Sequence, residues 1–473
     1  MNLTAHQQTA FDQLQGFLLE DDYQMAVLEG FAGVGKTFLM GAFLQWAKSR
    51  TSVCVAAPTH KALKVICSTL ESNAVSIDGD DEEVLDLSGG MFALAQRKQN
   101  KNGLNAATIH SLLALRLVEK ENGEAECQRD MSKMPSLSEY GLVVIDESSL
   151  ISRAMFELIC THKNGAKILF VGDPAQLPPI DDNGVISPVF THVELKVRLS
   201  EIVRQASGNP IIKLSMAIRN QTQRFSPMDF MRELPPLPAA AACVSGDKGT
   251  LIHYAAAEQK EGRDARVLCY RNQAVTEVNH HVHEILHPGT VFAPGETVLC
   301  YFSAGADGSR SPFADSHGRQ YKARLMDEFD VIDCTSHPDD NNMPVLKLTL
   351  KTLSGVIVTT LIPNDRIGYQ RAINDVWSEY RAVNTAFLNA QGEEKERLKQ
   401  EKSKLSRKAY GLRNRYPDIR HAYAMTVHRS QGSTFDTALV HYQDINLMRS
   451  SFDFNRALYV ACTRPRQYLA VVV

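Results

Sequence analysis

Apolar residues fall in short unbroken runs separated by stretches with helical spacing, the rhythm of a parallel α/β protein. Met25-Ala-Val-Leu28, Ser52–Ala57, Leu142-Val-Val-Ile145 and Lys167–Val171 are such runs. Runs that are apolar on both faces predict strands buried inside a sheet. Between the first two, Phe38, Leu39, Ala42, Phe43 and Trp46 mark one face of a helix from Thr37 to Lys48. The rhythm breaks at residues 71–105, which are rich in Ser, Asp and Gly and predict an inserted surface segment. It resumes at Thr108–Leu117, lapses into polar sequence over 118–138, and after the Pro-rich connection Leu234–Pro238 returns at Arg266–Tyr270. From about 290 to 365 the texture changes to short alternating runs, including Val345–Leu350 and Gly355–Leu361, which predict a small β insertion. Residues 370–413 read as helical, with Ile373, Val376, Trp377, Tyr380, Val383 and Phe387 in one stripe. Thr437–His441 and Tyr468–Val473 are strands again.

Composition narrows the class. The chain has 473 residues, 44% hydrophobic and 22% charged, an ordinary globular balance. No apolar run approaches the ~20 residues that span a bilayer, and the N-terminus lacks the basic-then-apolar order of a signal peptide. Nine scattered cysteines without a C-x-x-C pair point to a reducing compartment, so a cytoplasmic location is expected. Net charge is −3, so positive potential for a polyanion must be local. Arg381–Arg420 supplies it, with eleven Lys/Arg against five Asp/Glu, a balance of +6 that leaves −9 elsewhere.

Gly30-Phe-Ala-Gly-Val-Gly35-Lys36-Thr37 sits between a predicted strand and a predicted helix, the setting a phosphate-binding loop requires. Backbone N–H groups at Gly33, Val34 and Gly35 would cradle phosphates, Lys36 would reach the outer ones, and Thr37 would hold Mg²⁺. This predicts ATP and Mg²⁺ as cofactors. Asp146 and Glu147 end the apolar run Leu142–Ile145. One acid would take the metal with Thr37, and the other would orient the attacking water. Gly172-Asp-Pro-Ala-Gln176-Leu-Pro178-Pro179 ends the next run, where Gln176 could contact the γ-phosphate.

The order and content of these motifs resemble the superfamily 1 helicases of the RecD/Dda-like group over nearly the whole chain. The fold class this implies is α/β: two RecA-like P-loop NTPase domains with a small pin insertion and an SH3-like β insertion. The expected boundaries are 1–185 for motor domain one, holding the segment 71–105 and a pin at about 113–138. Motor domain two would be 186–290 with 415–473, and 291–414 the β insertion and a helical arm. By the same resemblance Gln7 reads adenine, and Pro58, Thr59, His60 and Lys61 grip single-stranded DNA with Thr108 and His110. Pro178 joins that DNA set. Arg204 in Leu199–Gln205 and Arg464 in Leu458–Arg464 would be arginine fingers, and Thr426, His428, Ser430 and Gly432 would span DNA and nucleotide. An ATP-dependent helicase moving 5′→3′ is implied, working as a monomer on single-stranded and fork DNA beside single-strand-binding or replication proteins. The sequence departs from the family at the pin, where 113–138 has no Phe, Tyr or Trp; Leu117 and Val118 stand in for the wedge.

Other readings remain open at the level of sequence. A translocase that displaces proteins, a motor on RNA, and an ATP-gated nucleic-acid-binding switch share the motifs. His283-Glu284-Ile-Leu-His287 matches H-E-x-x-H, the zinc-metallopeptidase pattern, but Pro288 ends the helix at once and no third ligand stands out.

Overall fold

The computed structural model describes residues 3–72, 75, 103–119, 125–179, 184–201, 209–227, 241–302, 312–321, 323, 325–338 and 344–473. Its contacts divide the chain into two units, one of 1–116, 127–282 and 423–473, the other of 117–126 and 283–422.

The first unit contains two parallel sheets. The chain opens with α1 (Ala5–Leu19), β1 (Met25–Gly30), α2 (Lys36–Ala47), β2 (Val53–Ala57), α3 (His60–Ser72) and β3 (Leu104–Thr108). β4 (Leu115–Glu119) and β5 (Ala125–Arg129) pair with each other in the place expected for a pin. Then come β6 (Leu142–Ile145), α4 (Arg153–His162), β7 (Lys167–Gly172) and β8 (Leu195–Leu199). The first sheet runs β3-β2-β6-β7-β1-β8, all parallel. β1, β2, β6 and β7 are buried on both faces, as their unbroken apolar runs require. On one side Phe11 of α1 meets Phe43 and Trp46 of α2 edge to face, with centroids 6.4 and 6.3 Å apart.

α5 (Pro210–Arg219), β9 (Ala241–Val244), α6 (Lys248–Lys260), β10 (Ala265–Cys269) and α7 (Asn272–Leu286) follow. The second sheet, β18-β10-β19-β20-β9, is completed from the end of the chain by β18 (Ala424–Thr426), β19 (Phe435–His441) and β20 (Pro465–Val472). Between the last two strands lies α10 (Ser451–Cys462). The second unit holds β11 (Thr297–Phe302), β12 (Phe313–Asp315), β13 (Gln320–Tyr321), β14 (Glu328–Pro338), β15 (Pro344–Thr352), β16 (Ile357–Pro363) and β17 (Asp418–His421), an antiparallel sheet in the order β13-β12-β16-β15-β14-β11-β17. α8 (Arg366–Asn389) and α9 (Gly392–Arg413) form a hairpin between β16 and β17.

Two expectations change. β8 pairs in parallel with β1, Leu28 opposite Val197, so the first sheet extends past residue 185 to Leu199. The segment expected at 71–105 is shorter, because α3 continues to Ser72 and β3 starts at Leu104; most of the rest lies outside the described residues. The stripe lies on α8, where Trp377 packs edge-on against Tyr410 of α9 at 5.4 Å. Leu234–Pro238 lies outside the described residues. Among the described residues no helix is long and apolar enough to cross a membrane.

Candidate nucleotide site

The phosphate loop forms because β1 ends where three glycines permit backbone that other residues resist. Gly33 and Gly35 have φ of 86° and 82°. Gly30 has a different reason: a Cβ there would lie 2.7 Å from Val34 Cγ2 and 3.1 Å from the Leu199 carbonyl of β8. Lys36 opens α2 and folds back over the loop, donating to the carbonyls of Gly30 at 2.7 Å and Phe31 at 3.1 Å. Burial pushes its pKa down, while Asp173, Asp146 and Glu147 pull it back up.

The two acids are set at the end of β6. Burial lifts the Asp146 carboxyl well above the usual carboxylate range, and the neighbouring Glu147 charge adds to the rise. Asp146 also accepts the Glu147 N–H at 2.8 Å. Glu147 itself is left-handed, with φ 50° and ψ 40°. For a non-glycine residue that conformation costs about 1–3 kcal/mol and is held only by surrounding structure. Here a following turn does so, with Ser148 Oγ donating to the Ile145 carbonyl at 2.7 Å.

Gln176 leaves β7 with its Oε1 buried and without a hydrogen-bond partner. Arg464 is buried just beyond α10, its Nε donating to the Val460 carbonyl at 3.0 Å and Nη1 to the Ser433 carbonyl at 3.3 Å. Burial lowers its pKa, against the pull of Glu147. Lys36, Thr37, Asp146, Glu147, Gln176 and Arg464 line one cavity of about 370 Å³. A buried, unpaired acceptor among cations and acids fits a hydrated, charged ligand, and the glycine cradle fits phosphate. Thr434 and Thr463 also line the cavity, although sequence reasoning passed over both.

Other expected residues stand elsewhere. Arg204 lies outside the described residues. Gln7 is the third residue of α1 and closes a capping box: Thr4 Oγ1 accepts its N–H at 3.2 Å, and its Oε1 accepts the Thr4 N–H at 3.1 Å. Gly432, with φ 71°, approaches Ala62 of α3, whose Cβ would be 3.3 Å from an added Cβ, and does not line the cavity. Among the expected DNA residues, Thr59 is exposed and His60, Lys61, His110 and His428 are half-buried, whereas Pro58, Pro178 and Ser430 are buried. Ser430 Oγ is turned inward onto the Val427 carbonyl at 2.8 Å. Thr59 caps α3, accepting from the Ala62 N–H at 3.2 Å. Leu117 and Val118 fall within β4.

The H-E-x-x-H match is used differently from a metallopeptidase. His283 Nδ1 faces Glu296 Oε2 at 3.1 Å and its Nε2 faces the Thr290 carbonyl at 2.9 Å, so both ring nitrogens are engaged. His421 Nδ1 meets the same carboxylate oxygen at 3.2 Å. Ligand atoms of His283, Glu296 and His421 lie within 4.8 Å of one another. The two rings stack 4.2 Å apart at 24°, and both turn Nδ1 to the one Glu296 oxygen, so the three groups are joined by their own hydrogen bonds. Neither His287 nor Glu284 belongs to this cluster.

The comparisons with known proteins agree with this geometry. A family model described as an AAA domain matches residues 2–233, and one described as a UvrD-like helicase C-terminal domain matches 421–472. Those spans carry the phosphate loop, the two acids and Arg464. In these spans the chain is similar to superfamily 1 helicases of the RecD type. An uncharacterised protein of Acanthamoeba polyphaga mimivirus is 30% identical to this chain over 224 residues, 45% of this chain and 41% of that protein. The ATP-dependent RecD2 DNA helicase of Deinococcus radiodurans is 27% identical over 213 residues, 45% of this chain and 23% of that protein. The match thus spans less than half the length of these relatives. Among solved structures, Pif1 helicase from Bacteroides with ADP-AlF3 and ssDNA aligns at a TM-score of 0.49 and 15% identity, covering 100% of this chain and 93% of that one. Pif1 helicase from Candida albicans aligns at 0.47 and 15%, covering 100% and 94%.

Proposed function

We propose that this chain is an ATP-driven DNA helicase that moves 5′→3′ along single-stranded DNA and opens the duplex at a fork. The observation that supports it most is the single cavity in which the phosphate loop and acids of the first sheet meet Arg464, carried by the second. An arginine delivered from a separate sheet stabilises the transferring phosphoryl group only when the two sheets close on it. ATP binding then favours the closed arrangement and product release the open one, which is the cycle of a stepping motor.

Thr37 and Asp146 would hold Mg²⁺, which when bound neutralises charge building on the phosphates. Lys36 must exchange its carbonyl partners for phosphate oxygens. Glu147 orients the attacking water, with Gln176 beside it, and Arg464 supplies the positive charge opposite. Thr59, His60, Lys61, His110 and His428 form the surface offered to the DNA strand. The antiparallel unit is read as an SH3-like insertion, and the protein as a monomer.

The decisive experiment compares unwinding of duplexes that carry a 5′ or a 3′ single-stranded tail, together with ATP turnover on oligo(dT) and oligo(U). Opening of the 5′-tailed DNA alone, with turnover stimulated by oligo(dT), is the expected result. Stimulated turnover with no strand opening would make the chain a translocase. Turnover indifferent to nucleic acid would overturn the motor reading.

A further inference from the structure

Asp173 is fully buried just past β7, and groups from distant parts of the first unit converge on it. Arg219, the last residue of α5, pairs with Oδ1, and the Ala175 N–H donates to the same oxygen at 3.0 Å. The Tyr459 hydroxyl, from α10, donates to Oδ2 at 2.5 Å. That hydroxyl also accepts the Ala32 N–H at 3.3 Å, and Ala32 lies inside the phosphate loop. The Arg219 guanidinium sits 5.7 Å from both the Phe31 and Tyr459 ring centroids.

A hydroxyl has one proton and two lone pairs. Here the proton goes to the carboxylate and a lone pair to the loop amide, so donors run from Ala32 through Tyr459 to Asp173, which Arg219 meets as a donor from the other side. Each link strengthens the next in a buried setting. Tyr459 and Arg464 are also linked: Arg464 Nε donates to the carbonyl of Val460, the residue after Tyr459 on the same helix. A second contact from that helix, Arg456 to the Gln176 carbonyl, reinforces the docking.

We propose that Tyr459 is a positioning residue: held by Asp173 and Arg219, its hydroxyl fastens the helix bearing Arg464 to the phosphate loop and so aims Arg464 at the transferring phosphoryl group. The aim rests on the ATP-motor reading; the fastening does not. Tyr459→Phe keeps the buried ring and removes only the hydroxyl, and Asp173→Asn weakens its anchor. Hydrogen exchange of the nucleotide-free protein tests the fastening. The Ala32 amide should exchange about fivefold faster in Tyr459→Phe, as loss of one hydrogen bond implies. Unchanged exchange overturns the proposal, whether or not the protein hydrolyses ATP. With single-stranded DNA, kcat should fall about tenfold and KM for ATP should stay within about twofold. The double variant should be no slower than the slower single variant, since both act through one contact. Multiplying losses, or full kcat with only a lowered unfolding temperature, would reduce Tyr459 to a packing residue and overturn the proposal. Wild-type protein without stimulated ATPase would defeat the motor reading instead, leaving the exchange result to decide the fastening.

Discussion

Thr108 and Thr426 hold matching positions in the two parallel sheets. Each is the last residue of an edge strand, β3 or β18, and each caps one helical turn with a histidine in its second position. Thr108 Oγ1 accepts from the Ser111 N–H at 3.2 Å, and Thr426 Oγ1 from the Arg429 N–H at 3.4 Å. Burial lowers the pKa of both His110 and His428, with the Pro58 backbone opposing the first shift and Asp453 the second. In both, burial favours the neutral imidazole.

Neutral rings that meet DNA contribute hydrogen bonds or stacking but release no counterions. His110→Ala and His428→Ala should each weaken single-strand binding while leaving the slope of log K against log salt unchanged. Binding titrations at several salt concentrations decide this. A slope flattened by about 0.7 per variant would mean that the histidine binds phosphate as a cation.

Lys36→Ala and Glu147→Gln should both stop turnover, in different ways. Removing Lys36 takes positive charge from the phosphates, so nucleotide affinity should fall together with rate. Glu147→Gln should bind nucleotide nearly normally and lose at least about a hundredfold in kcat, the scale of a lost group that acts on the reacting atoms. Fluorescent-nucleotide binding and ATPase assays separate the two. Near-normal stimulated turnover in either variant removes that residue from the site.

The buried triad sets a pH dependence. Burial would lower the His283 pKa, but its hydrogen bond to Glu296 and that group's charge win, and the net shift is upward from 6.5. Burial lowers His421 from 6.5, despite Glu296. Glu296, although burial opposes it, is held down to about 2 by the two imidazoles. A raised histidine stabilises fully below its unfolded pKa and loses that contribution as pH rises through its folded value. A lowered histidine does the reverse, costing stability as pH falls below 6.5. The triad's contribution should therefore peak near pH 6.5, the ordinary histidine value. The Glu296 term is lost only as pH falls from about 4.5 toward about 2. Histidine NMR titration should find His283 above and His421 below 6.5, and Glu296→Gln should abolish the upward shift while costing about 3 kcal/mol, the scale of a broken buried pair. Metal analysis should find no stoichiometric zinc; one zinc per chain, lost in His283→Ala, would make His283, Glu296 and His421 a metal site instead.

On the helical arm the lysines divide by environment. Lys399, Lys404 and Lys408 are exposed, with Lys399 3.6 Å from Glu396, whereas Lys402 lies over the Tyr380 and Phe387 rings at 5.8 and 5.2 Å. Replacing Lys404 and Lys408 with Ala should flatten the single-strand salt slope by up to about 1.4 if both touch phosphate. Lys402→Ala should lower the unfolding temperature and leave the slope alone. An unaltered slope in the double variant would assign the arm to solvent.

What could be read in the sequence is what local spacing encodes. The loop Gly30–Thr37, the acids after Leu142–Ile145 and the buried strands are all set within a few residues, so pattern reveals them. β8 was misplaced because Leu195–Leu199 pairs with β1 across about half the first unit's length, and nothing in its own pattern names that neighbour. Gln7 looked like a ligand residue, yet its Oε1 closes a cap three residues away. Asp173 and Tyr459 fall within motifs legible in the sequence, but their meeting with each other and with Arg219 gave no signal, since it lies only in long-range contact. The role of His283 was likewise hidden until Glu296 and His421 were beside it.

Glu147 carries one more implication. At a left-handed backbone position, glycine or asparagine would relieve strain, so Glu147→Gly is the substitution that drift toward a sturdier protein would find first. A carboxylate at such a position puts the proposed chemistry and the stability of the backbone in opposition. Anyone stabilising the protein for industrial use should expect strain-relief methods to nominate Glu147, the acid proposed to orient the water, and should hold that position fixed.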